Sequence, residues 1–121
     1  MTINDYLDME ALDNILEQWA AATHMIAVVL DDEGNFLSNK LGFSRNNVEA
    51  FSESIEVDDV EVATVVGGPL DEDTDEEVVE AAAAILVAAV QNLLEAGYHK
   101  KKYEEAIASF NEEIDGAAAL I

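Results

Sequence analysis

The sequence predicts an α+β fold: an antiparallel sheet of about four strands flanked by helices, with a long C-terminal helix of coiled-coil-like pattern. Three observations carry this expectation. Residues 8–23 repeat apolar side chains at helical spacing. Residues 25–66 consist of short β-rich runs separated by turn chemistry. Residues 78–121 carry a single apolar stripe in alternating steps of four and three: Ala82, Leu86, Ala89, Leu93, Ala96, Lys100, Tyr103, Ile107, Phe110, Ile114, Ala117 and Ile121. Only Lys100 in that stripe is not apolar. A 3.5-residue repeat keeps one seam of a helix against a partner helix.

The first helix spans 8–23. Asp8 is placed to cap it, and Met9, Leu12, Ile15, Leu16, Trp19 and Thr23 recur on one face. Trp19 reads as core, and His24 closes the helix, where a cation suits the dipole. Next comes MIAVVL, 25–30, apolar on both faces and so expected to be a central strand. Asp32-Glu33-Gly34-Asn35 supplies a hairpin turn, which pairs 25–30 with 35–39. Residues 44–52 read as a short helix or a loop, with Val48 and Phe51 facing inward. A second hairpin joins 54–57 and 60–66 across Asp58-Asp59, and Gly67-Gly68-Pro69 is expected to end the sheet.

The run DEDTDEE, 71–77, begins like a calcium loop, but Glu76 stands at the glycine position and Ala82 at the bidentate-acid position. Thr74 with Glu77 instead forms a capping-box pattern, so the last helix starts there and no metal is expected. Within that helix, Ala81–Val90 contains no polar residue, so both sides need cover. One side is expected on the sheet and the other on a second copy of the chain, parallel to the first. The competing arrangement bends at Ala96-Gly97 and returns 98–121 onto its own domain. Ten unbroken apolar residues fall short of the ~20 of a membrane span.

Composition narrows the function. Half of the 121 residues are hydrophobic, which fits one folded domain. Cysteine is absent, which removes disulfides, thiolate metal sites and thiol nucleophiles. Twenty-seven acids against five bases give a net charge of −22. Such a surface repels phosphate backbones and anionic lipid, so neither nucleic acid nor membrane is an expected partner. The first residues lack a signal peptide's basic and apolar regions, and the default location is cytoplasmic. With two histidines at helix ends and no paired nucleophile and base, no catalytic residue and no cofactor are expected, and the chain reads as a non-enzyme. The chain stops in mid-seam at residues 117–121, as a piece of a longer protein would.

The order of helix, hairpin, short connection, hairpin and long helix is PAS/GAF-like. ILEQWAAATHMIAVVLDDEGNFLSN resembles the opening of a PocR-type sensory domain, IEVDDVEVATVVGGPL its later hairpin, and EEVVEAAAAILVAAVQNLLEAGYHKKKYEEAI its exit helix. The segment between the hairpins is shorter here than in that family and lacks its cysteines. The resemblance implies a small-molecule sensory domain over 1–96, a signalling and dimerisation helix over 97–121, and a simple hydrocarbon derivative as ligand. Phe36, Asn39, Phe43, Phe51 and Thr64 are the pocket candidates that follow. Leu86, Ala89, Leu93, Tyr103, Ile107, Phe110 and Ile114 are the expected contacts of a homodimer. The alternative is a ligand-free dimerisation or assembly module of the same fold, like the profilin and roadblock scaffolds. A cavity of some ~300 Å³ would favour sensing, and a filled core would favour assembly.

Overall fold

A computed structural model describes the backbone of residues 1–119 and the side chains of residues 1–111. A single 3₁₀ turn, Ile3–Asp5, precedes helix α1, Met9–Thr23. Strands β1, Met25–Asp31, β2, Phe36–Ser38, β3, Phe51–Val57, and β4, Val60–Pro69, follow, and helix α2, Glu76–Ala119, ends the described chain. The strands form one antiparallel sheet in the order β2-β1-β4-β3. The expected α+β class, the strand number and the long C-terminal helix are all present.

Local chemistry accounts for the boundaries. The Asp8 carboxylate accepts from the Ala11 N–H at 3.1 Å and opens α1, and His24 closes it in the left-handed region at φ 56°. Asp31 makes the β1–β2 turn, its side chain accepting from the Glu33 and Asn35 N–H groups. At the β3–β4 turn, Asp58 and Asp59 have φ of 54° and 62°. Both central residues of a type I′ turn need positive φ, and Asp tolerates it better than most. Continuous apolarity did mark a central strand, since β1 lies between β2 and β4.

Three expectations give way. First, Gly67-Gly68-Pro69 does end the sheet, but as paired residues and not as a turn after 66: β4 runs through Pro69, with Gly67, Gly68 and Pro69 opposite Ala27, Ile26 and Met25. A β-carbon on Gly67 would lie 2.7 Å from the Phe51 ring, and one on Gly68 would lie 2.0 Å from the Val48 carbonyl oxygen. The two glycines make room for neighbours on opposite faces of the strand, one residue before it ends at Pro69. Second, the loop reading of 44–52 holds only over 44–50: β3 already starts at Phe51, and Val48, expected inward, is 46% exposed. Third, the cap of α2 is Asp75, whose carboxylate accepts from the Glu77 N–H at 3.1 Å, while the Thr74 hydroxyl donates back to the Asp71 carbonyl.

Both helices lie on one face of the sheet. The core between them contains Leu12, Leu16 and Trp19 of α1, Met25, Ala27 and Val29 of β1, Ile55, Ala63 and Val65 of β3 and β4, and Val79, Ala82, Leu86, Val90 and Leu94 of α2. The Trp19 indole N–H donates to the Ala82 carbonyl at 2.8 Å, and its ring meets Phe51 edge-on at 6.1 Å. Trp19 is core, as its spacing predicts.

Gly97 produces no break. Helix α2 is continuous over 44 residues, about 66 Å at 1.5 Å per residue. The helix therefore runs straight through the expected division between residues 1–96 and 97–121. The reason for a glycine there is the N-terminal turn: a β-carbon on Gly97 would sit 2.3 Å from the Tyr6 carbonyl oxygen. Beside it, the Tyr6 and Tyr98 rings meet edge-on at 5.5 Å, and burial beside Tyr98 raises the Tyr6 phenol pKa above its ordinary value. Gly→Ala in an exposed helix interior normally stabilises by about 1 kcal/mol. Here Gly97→Ala is expected to destabilise, by about 1–2 kcal/mol, because overpacking against a backbone oxygen outweighs the propensity gain. Urea unfolding of the two proteins gives the sign.

Candidate functional site

The seam read from the sequence is not one face of the helix. Ala82 and Leu86 are buried, Ala89 and Leu93 half-buried, and Ala96, Lys100, Tyr103, Ile107 and Phe110 exposed. The progression has a geometric cause. A straight helix has 3.6 residues per turn, so a strict 3.5-residue repeat drifts by about 20° per heptad. Over the four heptads from Ala82 to Phe110 the drift reaches about 80°. The stripe begins against the domain's own sheet and ends facing away from it. Leu86, fully buried in its own core, is therefore not available as a dimer contact. Ile114 lies outside the described side chains.

A different stripe stays exposed along the helix. Val78, Ala81, Ile85, Ala88, Asn92, Ala96, Lys100, Tyr103, Ile107 and Phe110 are all solvent-facing. Its nine steps cover 32 residues, close to the 3.6 of an α-helix, so it follows one straight line. Its large members are strongly exposed, Ile85 at 66%, Tyr103 at 68% and Phe110 at 57%. Counting in steps of 3.6 instead of 3.5 would have found it. The stripe is also what the apolar run 81–90 signalled: one face went to the sheet and the other was left open.

The helix divides by support. Up to Leu94 it packs on β3, β4 and α1. Near its middle, Gln91 donates to the Glu56 carbonyl, and the Tyr98 hydroxyl donates to Asp58 at 3.1 Å. From Lys102 to Asn111 every residue is exposed. An isolated helix of this length is marginal in water. Helix Glu76–Asn111 also contains an 18-residue window of mean hydropathy 1.6, long and apolar enough to cross a bilayer by length and composition. That exceeds what the ten-residue run implied. A third of the window is buried inside the fold, where Val79, Ala82, Leu86 and Val90 meet the sheet.

The five pocket candidates are not brought together. Phe36 and Thr64 lie in one row across the outer face of the sheet, linked by Leu30, with Phe36 57% exposed. Asn39 and Phe43 close a local turn, the Asn39 amide bonding both the N–H and the carbonyl of Phe43. Phe51 points to the opposite face, against Trp19. Where the outer face would need space, the Val48 backbone crosses Gly68. No polar or charged side chain is buried among the described residues. The clefts are open surface grooves, such as the one of about 320 Å³ lined by Phe51, Pro69, Thr74, Glu76, Val79 and Glu80.

No family model, curated protein or solved structure matches this chain. The likeness to PocR-type domains thus rests on the quoted segments and on the order of elements.

Proposed function

We propose that this chain is a non-enzymatic cytoplasmic module that pairs with a second copy of itself through α2 and carries signalling or assembly through that helix. The observation that supports it is the exposed stripe from Val78 to Phe110. An apolar line of this length on an acidic domain is what soluble monomers avoid. Residues 102–111 of the helix, all exposed, have no domain to lean on, and a partner helix supplies what they lack. The continuous helix across Gly97 supports the straight form over the bent one.

Of the two readings, the assembly module is better supported than the small-molecule sensor. Recognition of a ligand needs a cleft or cavity that buries most of its surface and offers a few placed polar groups. The core between sheet and helices contains only apolar side chains, and the sheet's outer face is crossed by chain at Gly68. The α/β body then acts as the base that holds α2 in place, with Trp19 bonded to its first half and Tyr98 tied to the β3–β4 turn.

Light scattering on the full chain tests the reading. The expected mass is twice the 13.1 kDa of one chain at micromolar concentration. A single-chain mass at high micromolar concentration would refute it.

A further inference from the structure

The exposed stripe reads the same in both directions. From Val78 its steps are 3, 4, 3, 4, 4, 4, 3, 4 and 3, ending at Phe110. The sequence of steps is a palindrome centred on position 94. Even helical spacing gives any straight line this symmetry, and parallel and antiparallel pairs are both two-fold, so the spacing admits an antiparallel register and the choice falls to the side chains. Laid antiparallel about that centre, Val78 of one copy faces Phe110 of the other, Ala81 faces Ile107, Ile85 faces Tyr103, Ala88 faces Lys100 and Asn92 faces Ala96. We infer that two copies pair through α2 antiparallel in this register. The inference rests on the dimeric reading above and adds its orientation, in place of the parallel pairing that the 3.5-residue repeat predicts.

Three features separate the two orientations. The first is size. The base of the stripe holds Val78, Ala81, Ile85 and Ala88, and its tip holds Lys100, Tyr103, Ile107 and Phe110. In a parallel pair each residue meets its own copy. The base, where two of four residues are Ala, then meets itself, and so does the tip with its Lys, Tyr, Ile and Phe, so the helices must diverge toward the tip. Antiparallel pairing sets the base on the tip and keeps an even separation, as close packing requires.

The second feature is charge. A parallel pair stacks Lys100 on Lys100 within an apolar seam, and like charges cost most where water is excluded. The antiparallel register places each Lys100 over Ala88, at a point where its stem can lie on the helix and its head can reach solvent. On a larger scale, each chain carries −22, and the supported half of α2 is its N-terminal half. Antiparallel pairing moves the two bodies toward opposite ends of the pair, beyond the ~10 Å over which salt screens their repulsion. A parallel pair holds them at the same end.

The third is support. The unsupported tip of each helix covers the exposed base of the other, so each body steadies its partner's free end. Both open halves of the stripe are satisfied by one contact about 50 Å long at 1.5 Å per residue.

The chain has no cysteine, so single spin labels can be placed without altering it further. Ser109 is exposed and off the stripe, and Asn92 lies near the centre. Antiparallel pairing predicts a label-to-label distance of about 45 Å for Ser109→Cys and a short one, under about 20 Å, for Asn92→Cys. A short distance at both positions means a parallel pair and overturns the orientation while leaving the dimer intact. Absence of any dipolar signal with a single-chain mass overturns the dimer itself. Disulfide trapping gives a second readout on the seam. Ala81→Cys mixed with Ile107→Cys should cross-link readily, and Ile107→Cys alone should not; efficient self-linkage at 107 contradicts the register.

Discussion

Leu86→Ala is expected to lower the unfolding free energy by about 2–5 kcal/mol and to leave the mass of the folded protein unchanged. Leu86 is fully buried where α2 meets the sheet, within a cluster that includes Leu16, Val29, Ile55 and Val90. The truncation removes three carbons from the centre of that layer. Helices α1 and α2 are pinned there by the Trp19–Ala82 hydrogen bond, so the site cannot readily collapse to fill the gap. Against a typical total of about 5–15 kcal/mol, such a loss is large enough to show in any denaturant titration. Its specificity matters as much as its size. If Leu86 belonged to an intermolecular seam, the substitution would lower the mass in solution before it lowered the unfolding midpoint. The two readouts separate a core residue from an interface residue on the same helix.

Phe110→Glu and Ile107→Glu are expected to do the reverse. Both side chains are exposed, at 57% and 42%, and neither touches the α/β body. A glutamate at either position costs the single chain almost nothing. Within a paired seam it places an unpaired charge among apolar groups, and such a change weakens association by several kcal/mol. The expected result is a shift from twice the chain mass toward the chain mass, with the domain's own unfolding cooperative as before. Tyr103→Glu should behave in the same way. A glutamate variant that keeps the double mass would show that this part of α2 is not the contact.

Much of this fold is legible in the sequence because its signals are local. Asp8 and His24 bracket α1 by their own chemistry. The acidic turn at Asp58-Asp59 fixes the second hairpin, and the two-sided apolarity of MIAVVL places β1 inside the sheet. Glycines were harder to read, since Gly67, Gly68 and Gly97 are each required by a neighbour distant in sequence: Phe51, Val48 and Tyr6. Nothing within a few residues of Gly97 distinguishes a close approach from a helix end. The seam failed for a related reason. Apolar residues from two faces of α2 happen to fit one 3.5-residue count, and only the position of the sheet tells Leu86 from Ile85. Residue type between the two hairpins does not show which side chains share a face. The pleat sends Phe51 and Thr64 to opposite faces, a distinction that depends on where β3 begins.

If the exposed line from Val78 to Phe110 is covered by a second copy of the chain, residues 102–111 of α2 are ordered only in the pair. Amide hydrogen exchange of residues 100–111, followed as a function of protein concentration, addresses it most directly. In a single chain these backbone groups belong to a helix without tertiary support and exchange within a small factor of the unprotected rate. In a pair they are protected, and the protection is linked to chain concentration. Slow exchange at high micromolar concentration that becomes faster on dilution is expected, while Val28, Val65 and Leu86 in the core stay equally protected throughout. Fast exchange of 100–111 at every concentration would contradict it.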